Sequence, residues 1–326
     1  MVAVGIIGLG FMGGVHAGAW KAAGATIVAL ADSDAAKLAA FAVDGTPARL
    51  ADAKALIARP DVEVVDICLP TPLHLEAAKM ALAAGKHVLC EKPLTRNSAD
   101  AKALCDAARG AKGFLMPAQC VRFWPGWDWL LDGARSGKHG KLRSVMFQRV
   151  SSPPPGWFMN HELSGGALYD QHIHDTDLVV AMLGRPKSVT SVGFVGPSGG
   201  IDLVSTRYRY ADDQIVVADG GWALDGAFGF RMRFTAVFER ATADFDSSRA
   251  EPFQIFANGV KTTPKVETDG YHLMIKAFAE CVAKKVKPPI SPDESIDVIR
   301  VLEAEIASAK AGGVEKAIAY EGAARA

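Results

Sequence analysis

The chain has 326 residues, more than one hydrophobic core usually organises, so two domains are expected. Hydrophobic residues make up 49% and charged residues 22%, the balance of a globular chain rather than a disordered or fibrous one. Lys plus Arg and Asp plus Glu each total 36, and no basic run concentrates charge, which argues against nucleic acid or an anionic membrane as partner.

Met1 leads straight into an apolar run that ends at glycines, without the basic region and cleavage site of an export signal. No apolar stretch approaches the roughly 20 residues of a membrane span. Cys68, Cys90, Cys105, Cys120 and Cys281 form no CxxC pair and lie mostly in apolar runs, as buried, reduced thiols do. A cytoplasmic protein is expected.

Up to about residue 120, short β-branched runs alternate with Ala-rich helical stretches, the pattern of a parallel sheet covered by helices. The predicted strands are Val2–Ile7, Thr26–Ala31, Ala48–Leu50, Val62–Leu69, His87–Cys90 and Phe114–Ala118, with helices such as Leu73–Ala84 and Ser98–Arg109 between them. Beyond Phe123, aromatics, prolines and longer alternating strands take over, which sets a domain boundary at 122/123. From Phe230 to Phe238 the even positions are apolar while Arg231, Arg233 and Thr235 point the other way, as in a half-buried antiparallel strand. Ile201–Ala211 and Gln214–Ala223 read as a hairpin of the same sheet. One face of that sheet is left to meet something other than the core, and a partner subunit is the candidate. Helices over 269–285 and 292–311 close the chain.

Gly8-Leu9-Gly10-Phe11-Met12-Gly13 follows the first strand and opens a helix, the context in which GxGxxG signals a bound dinucleotide. The first glycine permits the tight turn, the second lets backbone approach a pyrophosphate, and the third lets helix and strand pack closely. The phosphates then sit at the positive helix N-terminus. Asp32, at the end of the second strand, can accept both ribose hydroxyls and would repel a 2′-phosphate, so NAD is favoured over NADP despite nearby Lys37. The competing reading has Asp32 merely capping the next helix.

The fifth strand runs out at Glu91-Lys92-Pro93, at the sheet edge where open α/β sheets bind ligands. Pro93 restrains Lys92 toward an extended conformation and so aims it. Farther on, Asp170 and His174 stand four apart and share a helix face, with Asp177 one turn beyond. Imidazole is suited to take a hydroxyl proton near neutrality, and a neighbouring carboxylate can orient it. Gly165 and Gly166 before the helix would allow close approach to the cofactor domain. A metal at Asp170 and His174 with His172 or His161 is the lesser reading, because residues two apart diverge on a helix; no metal is expected.

Together these residues resemble the glucose-fructose oxidoreductase, inositol dehydrogenase and rhizopine-catabolism (Gfo/Idh/MocA) family. The likeness runs from the glycine loop and His16 through Pro70-Thr71-Pro-Leu-His74, Leu89-Cys-Glu-Lys-Pro-Leu94 and Arg122-Phe-Trp-Pro125 to Ser164-Gly-Gly-Ala-Leu-Tyr-Asp170. It implies an α/β Rossmann domain followed by an α+β domain, over 123–326, with a large open, mostly antiparallel sheet that makes dimers or tetramers. It implies Lys92, Asp170 and His174 as catalytic residues of an NAD(P)-dependent oxidoreductase acting on a secondary alcohol of a sugar, sugar acid or cyclitol. Pro70, Thr71, His74 and Glu91 join the glycine loop as cofactor residues, with His16 and His74 lining its loops. Arg122, Trp157, Gln171 and His172 are candidate substrate contacts; His172 stands where the family's D-x-G-x-H helix has glycine. Relatives that cleave glycosides with NAD, or that bind dinucleotide only as sensors, supply the alternatives.

Overall fold

The structure is a computed structural model and describes residues 1–321. The backbone divides into two compact units, one of Met1–Phe123 with Thr268–Ile296, the other of Trp124–Glu267 with the chain from Asp297 onward.

The first unit is a six-stranded parallel sheet of β1 (Ala3–Ile7), β2 (Thr26–Ala31), β3 (Ala48–Leu50), β4 (Val64–Ile67), β5 (His87–Cys90) and β6 (Leu115–Pro117), in the order β3-β2-β1-β4-β5-β6. The order reverses between β1 and β4, so the crevice for a ligand opens at their carboxyl ends. Val4, Ile6, Val64, Val65, Ile67, Val88 and Leu89 are fully buried, the mark of strands covered on both faces. The connecting helices include α1 (Phe11–Ala22), α2 (Ala35–Ala40), α3 (Ala53–Ile57), α4 (His74–Ala83) and α5 (Ser98–Arg109). Side-chain caps start several of them: Asp34 accepts from the Ala36 and Lys37 N–H groups, and Asn97 from Asp100. A single 3₁₀ turn, Thr71–Leu73, takes up the start of the predicted helix over Leu73–Ala84.

Segment Thr268–Ile296 groups with this unit, although the sequence reading placed it with the C-terminal half. Its helix, Gly270–Lys284, lays Phe278 against Trp20 of α1 at a ring separation of 6.4 Å, and both side chains are fully buried. The apolar face of that helix therefore belongs to the first core.

The second unit holds a nine-stranded mixed sheet. In chain order its strands are β7 (Leu142–Ser151), β8 (Ser188–Val195), β9 (Ile201–Arg209), β10 (Ile215–Gly221), β11 (Phe230–Phe238), β12 (Thr242–Asp246), β13 (Phe253–Ala257), β14 (Val260–Thr262) and β15 (Lys316–Ala317). Only β7 and β10 pair in parallel; the other neighbours are antiparallel. The expected hairpin is β9 and β10, and in β11 Met232, Phe234, Ala236 and Phe238 are buried, as the alternation requires. Helices α6 (Trp127–Ser136), α7 (His161–Ser164) and α8 (Ile173–Leu183) belong here, with the part of Pro292–Lys310 that follows Ile296. Trp127 meets Phe245 at 4.2 Å and Phe234 at 5.0 Å, edge to face.

Charge is buried beside this core. Arg149, 3% exposed, donates to Asp175, 1% exposed, at 2.9 Å, and its guanidinium lies 5.9 Å from the Trp127 ring centre. His172 Nε2 lies 3.0 Å from Glu305, whose other oxygen accepts from Thr176 at 3.1 Å. Burial alone would lower the basicity of His172, but the Glu305 carboxylate outweighs it and holds the imidazole above its ordinary range. Removing one member of a buried pair strands the other's charge. Arg149→Met should cost about 3–5 kcal/mol in denaturant unfolding, and adding Asp175→Leu should recover most of it; a single variant as stable as the double would refute the pairing.

Candidate active site

Each glycine of the loop after β1 meets a different constraint. Gly8 has φ +91°, and a Cβ there would lie 2.5 Å from the Cys68 carbonyl oxygen, so the turn admits only glycine. A Cβ on Gly13 would fall 2.2 Å from the Gly8 oxygen, which ties the start of α1 to the strand end. On Gly10 it would meet nothing within 4 Å, so the loop is open at its second glycine. Gly10 caps α1 without a side chain, no acid stands in the first turn, and Phe11 is exposed. That leaves helix N–H groups and the dipole for an anion.

Asp32 sits beside this opening. Its Oδ2 accepts the Leu9 N–H at 2.8 Å and its Oδ1 accepts that of Asp34 at 2.8 Å, so it braces the loop. The cap of α2 is Asp34, which disposes of the capping alternative for Asp32. Each Asp32 oxygen keeps a lone pair for a hydroxyl. The residues therefore fit a dinucleotide: an open backbone cradle for phosphate and a carboxylate for ribose.

Lys92 is half-buried just past β5, and its peptide bond to Pro93 is cis. Glu91, 6% exposed, accepts the Lys92 N–H at 2.9 Å. His74, expected along the cofactor loops, is 1% exposed and cannot reach a ligand; its ring nitrogens lie 2.7 Å from the Leu69 oxygen and 2.8 Å from that of Pro93. It joins the loop after β4, which holds Pro70 and the buried Thr71, to the turn after Lys92. Burial lowers its basicity. His16 is likewise fully buried, between Asp66 and Glu91.

In the second unit one π-helical turn, Leu168–His172, precedes α8, so Asp170 lies in that turn and His174 in the α-helix. Such turns are uncommon and concentrate at functional positions. Asp170 is half-buried and His174 8% exposed, while Asp177 is 2% exposed. Gly165 and Gly166, expected to admit the cofactor domain, both adopt positive φ (+82° and +73°), and Gly165 also packs tightly within this unit. A Cβ on Gly165 would lie 2.5 Å from Tyr169, and one on Gly166 3.5 Å from the Ile201 oxygen.

The substrate candidates separate. His172, expected against substrate hydroxyls, is 0% exposed and faces Glu305 and, at 3.3 Å, the Tyr208 hydroxyl, so the larger side chain at the glycine position points inward. Arg122, 6% exposed, pairs with Glu294 at 2.6 Å inside the first unit, so its guanidinium is committed to a structural ion pair. Gln171 donates to Ser151 at 2.6 Å and stays half-buried. Trp157, on a 3₁₀ turn, lies tilted against Phe158 at a ring separation of 4.4 Å and remains half-exposed. Of these, Gln171 and Trp157 keep surface for a ligand.

Asp66, Trp20 and Glu305 were not singled out from sequence. Asp66 interrupts the apolar run Val64-Val-Asp-Ile67, and an acid on a doubly covered strand demands a buried partner. Glu305 continues the spacing of the buried Val298, Val301, Leu302 and Ser308, which places a charge on a core stripe. Among the described residues His16, Asp66 and Cys68 are also close enough to hold a metal ion, but His16 Nδ1 already lies 2.9 Å from Asp66 and 3.4 Å from the Cys68 sulfur. No helix of the described residues is long and apolar enough to cross a membrane.

Comparison with known proteins agrees with this geometry. Residues 2–119 match the Gfo/Idh/MocA oxidoreductase family with its NAD-binding Rossmann fold, and residues 130–244 match that family's C-terminal domain. Inositol 2-dehydrogenase of Rhizobium meliloti (strain 1021) is 27% identical over 94% of this chain and 96% of its own. The NADP-dependent D-xylose 1-dehydrogenase 2 of Haloferax volcanii is 26% identical over 87% and 90%. A levoglucosan dehydrogenase solved with NADH and levoglucosan superposes with a TM-score of 0.87 over 97% of this chain and 99% of its own, at 22% identity. With both halves matched, on the glycine loop and the sheet arrangement just described, the chain belongs to the Gfo/Idh/MocA oxidoreductase family.

Proposed function

We propose that this enzyme is an NAD-dependent dehydrogenase or reductase that moves a hydride between nicotinamide and a secondary alcohol of a sugar, sugar acid or cyclitol. The observation that carries the reading is the opening at Gly10 with the Asp32 carboxylate braced beside it. A carboxylate there favours NAD over NADP, and the nearby cation Lys37 stands 4.0 Å from Asp34. The substrate class follows the relatives, which are named for inositol, D-xylose and levoglucosan.

When bound, the dinucleotide supplies the hydride chemistry. Lys92 donates to the substrate oxygen and stabilises the negative charge that grows there. His174 takes the hydroxyl proton, and Asp170 orients the imidazole or a neighbouring hydroxyl. Trp157 and Gln171 contribute substrate contacts.

A screen of polyols and sugars with NAD and with NADP, read at the reduced-nicotinamide absorbance, tests the assignment. Growth of that band with a polyol is expected; aglycone release without it, or binding without turnover, would displace the assignment in favour of a glycosidase or a sensor. Lys92→Ala should lower kcat roughly 10²- to 10⁴-fold while leaving NAD affinity within about twofold; unchanged turnover removes Lys92 from the chemistry. Asp32→Ser gives up hydrogen bonds worth about 1–3 kcal/mol and a repulsive charge, so the NAD-to-NADP ratio of kcat/KM should fall at least about tenfold.

The outer face of the nine-stranded sheet is assigned to a second copy of this chain. Register places Met146 in a row with Arg207, Thr235 and Asp244, and Val192 in a row with Arg233 and Asp246. Apolar groups interleaved with both signs of charge suit a self-complementary, two-fold contact. Light scattering should return a dimer or tetramer; a monomer at micromolar concentration would leave the face without this role.

A further inference from the structure

Glu91 is buried beside the lysine assigned to catalysis, and something must neutralise it. Its Oε2 accepts the Lys92 N–H at 2.9 Å, and its Oε1 lies 3.0 Å from His16 Nε2. The opposite ring nitrogen, Nδ1, lies 2.9 and 3.0 Å from the two Asp66 oxygens. Asp66 also accepts from Trp20 Nε1, one turn along α1, at 2.6 Å. His16, Asp66 and Glu91 are 0%, 0% and 6% exposed.

We infer that His16 is a positioning residue for Lys92: as an imidazolium bridging the carboxylates of Asp66 and Glu91, it locks the Glu91–Lys92 strand end to helix α1. This role rests on Lys92 acting in catalysis as proposed above. Nδ1 is bonded to Asp66, while Nε2 and Glu91 Oε1 face each other buried and without hydrogen-bond geometry, so a positive charge on the ring is what compensates the second carboxylate. The groups facing His16 from the surrounding elements are Asp66 and the Cys68 thiol from β4 and its end, Glu91 with Cys90 from the end of β5, Trp20 from its own helix, and the Tyr271 ring at 6.4 Å.

Burial works against a charged His16, but Asp66 and Cys68 outweigh it and hold the imidazole well above its ordinary range. Burial likewise pushes Glu91 upward, while His16 and then Lys92 bring it below the usual carboxylate value. Take His16 away, and burial alone governs Glu91. The bridge also joins two parts of the proposed site, because α1 begins at the phosphate cradle and Glu91 carries the backbone of Lys92. The Rossmann fold itself requires only the glycines; the bridge is an added device.

Nitrogen-15 histidine spectra of the full chain without cofactor test the bridge apart from catalysis. Of the eight histidines, His16 and the Glu305-paired His172 should show both ring nitrogens in the imidazolium range at about pH 7, where an unperturbed imidazole is mostly neutral, and one such signal should vanish in His16→Gln or His16→Asn. A neutral His16 at pH 7 overturns the inference. In turnover, His16→Gln should lower kcat roughly 10- to 100-fold at neutral pH with KM for NAD within about twofold, and activity should recover as pH rises and Glu91 ionises. Glu91→Gln should fall as far without recovery, and the double variant should fall no farther than Glu91→Gln. Multiplying effects, or a pH-independent loss in kcat and KM alike, overturn the coupling. If Lys92→Ala turns over normally while the His16 signal stays imidazolium, the bridge stands and the catalytic assignment of Lys92 fails.

Discussion

An ionised side chain can leave water only if another group takes over its solvation, and both units of this protein are arranged around that constraint. In the first, Asp66 stands on a strand with helices on both faces, among Val64, Val65 and Ile67 that are fully buried. Its oxygens are taken by His16 and Trp20, both on α1. The helix that begins at the glycine loop is therefore held to the central strands by apolar packing and by directional, charge-assisted bonds.

The second unit meets the same constraint with different groups. The Arg149 and Asp175 pair links β7 to α8, and His172, Thr176 and Tyr208 gather on Glu305. These contacts flank the turn that carries Asp170 and the start of α8, where His174 stands. A π-helical turn strains the regular ladder and persists only where its surroundings hold it, and the inward His172 is one of the holds. The residue that departs from the family's glycine thus alters the support of the candidate catalytic residues and adds no new group to a ligand.

Much of the fold was legible because its signals are local. The glycine loop, the alternation in β11 and the runs of β-branched residues each state their structure within a few residues. The assignment of Gly270–Lys284 to a unit was not legible, because an amphipathic helix reports that it has an apolar face without reporting which core receives it. The site divides the same way. Lys92 and Asp32 stand just past strand ends as their sequence positions imply, whereas the inward turn of His172 and the Glu294 pairing of Arg122 depend on partners more than a hundred residues away. Polar residues in apolar runs were the usable signal for such partners, as Asp66 and Glu305 show.

Buried networks of this kind also divide the labour between binding and specificity. The features that favour a dinucleotide, at Gly8, Gly10, Gly13 and Asp32, are backbone geometry and a single carboxylate, so they tolerate wide change elsewhere in the sheet. Recognition of one polyhydroxylated substrate over another needs donors and acceptors placed to a fraction of an ångström, because a misaligned hydrogen bond leaves a desolvated group unmatched. Half-exposed Gln171, which donates to Ser151, and Trp157, which lies tilted against Phe158, have these neighbours in the second unit. Under the proposed function, substitutions around those neighbours would change the choice of substrate while leaving the glycine loop and Asp32 of the first unit as they are.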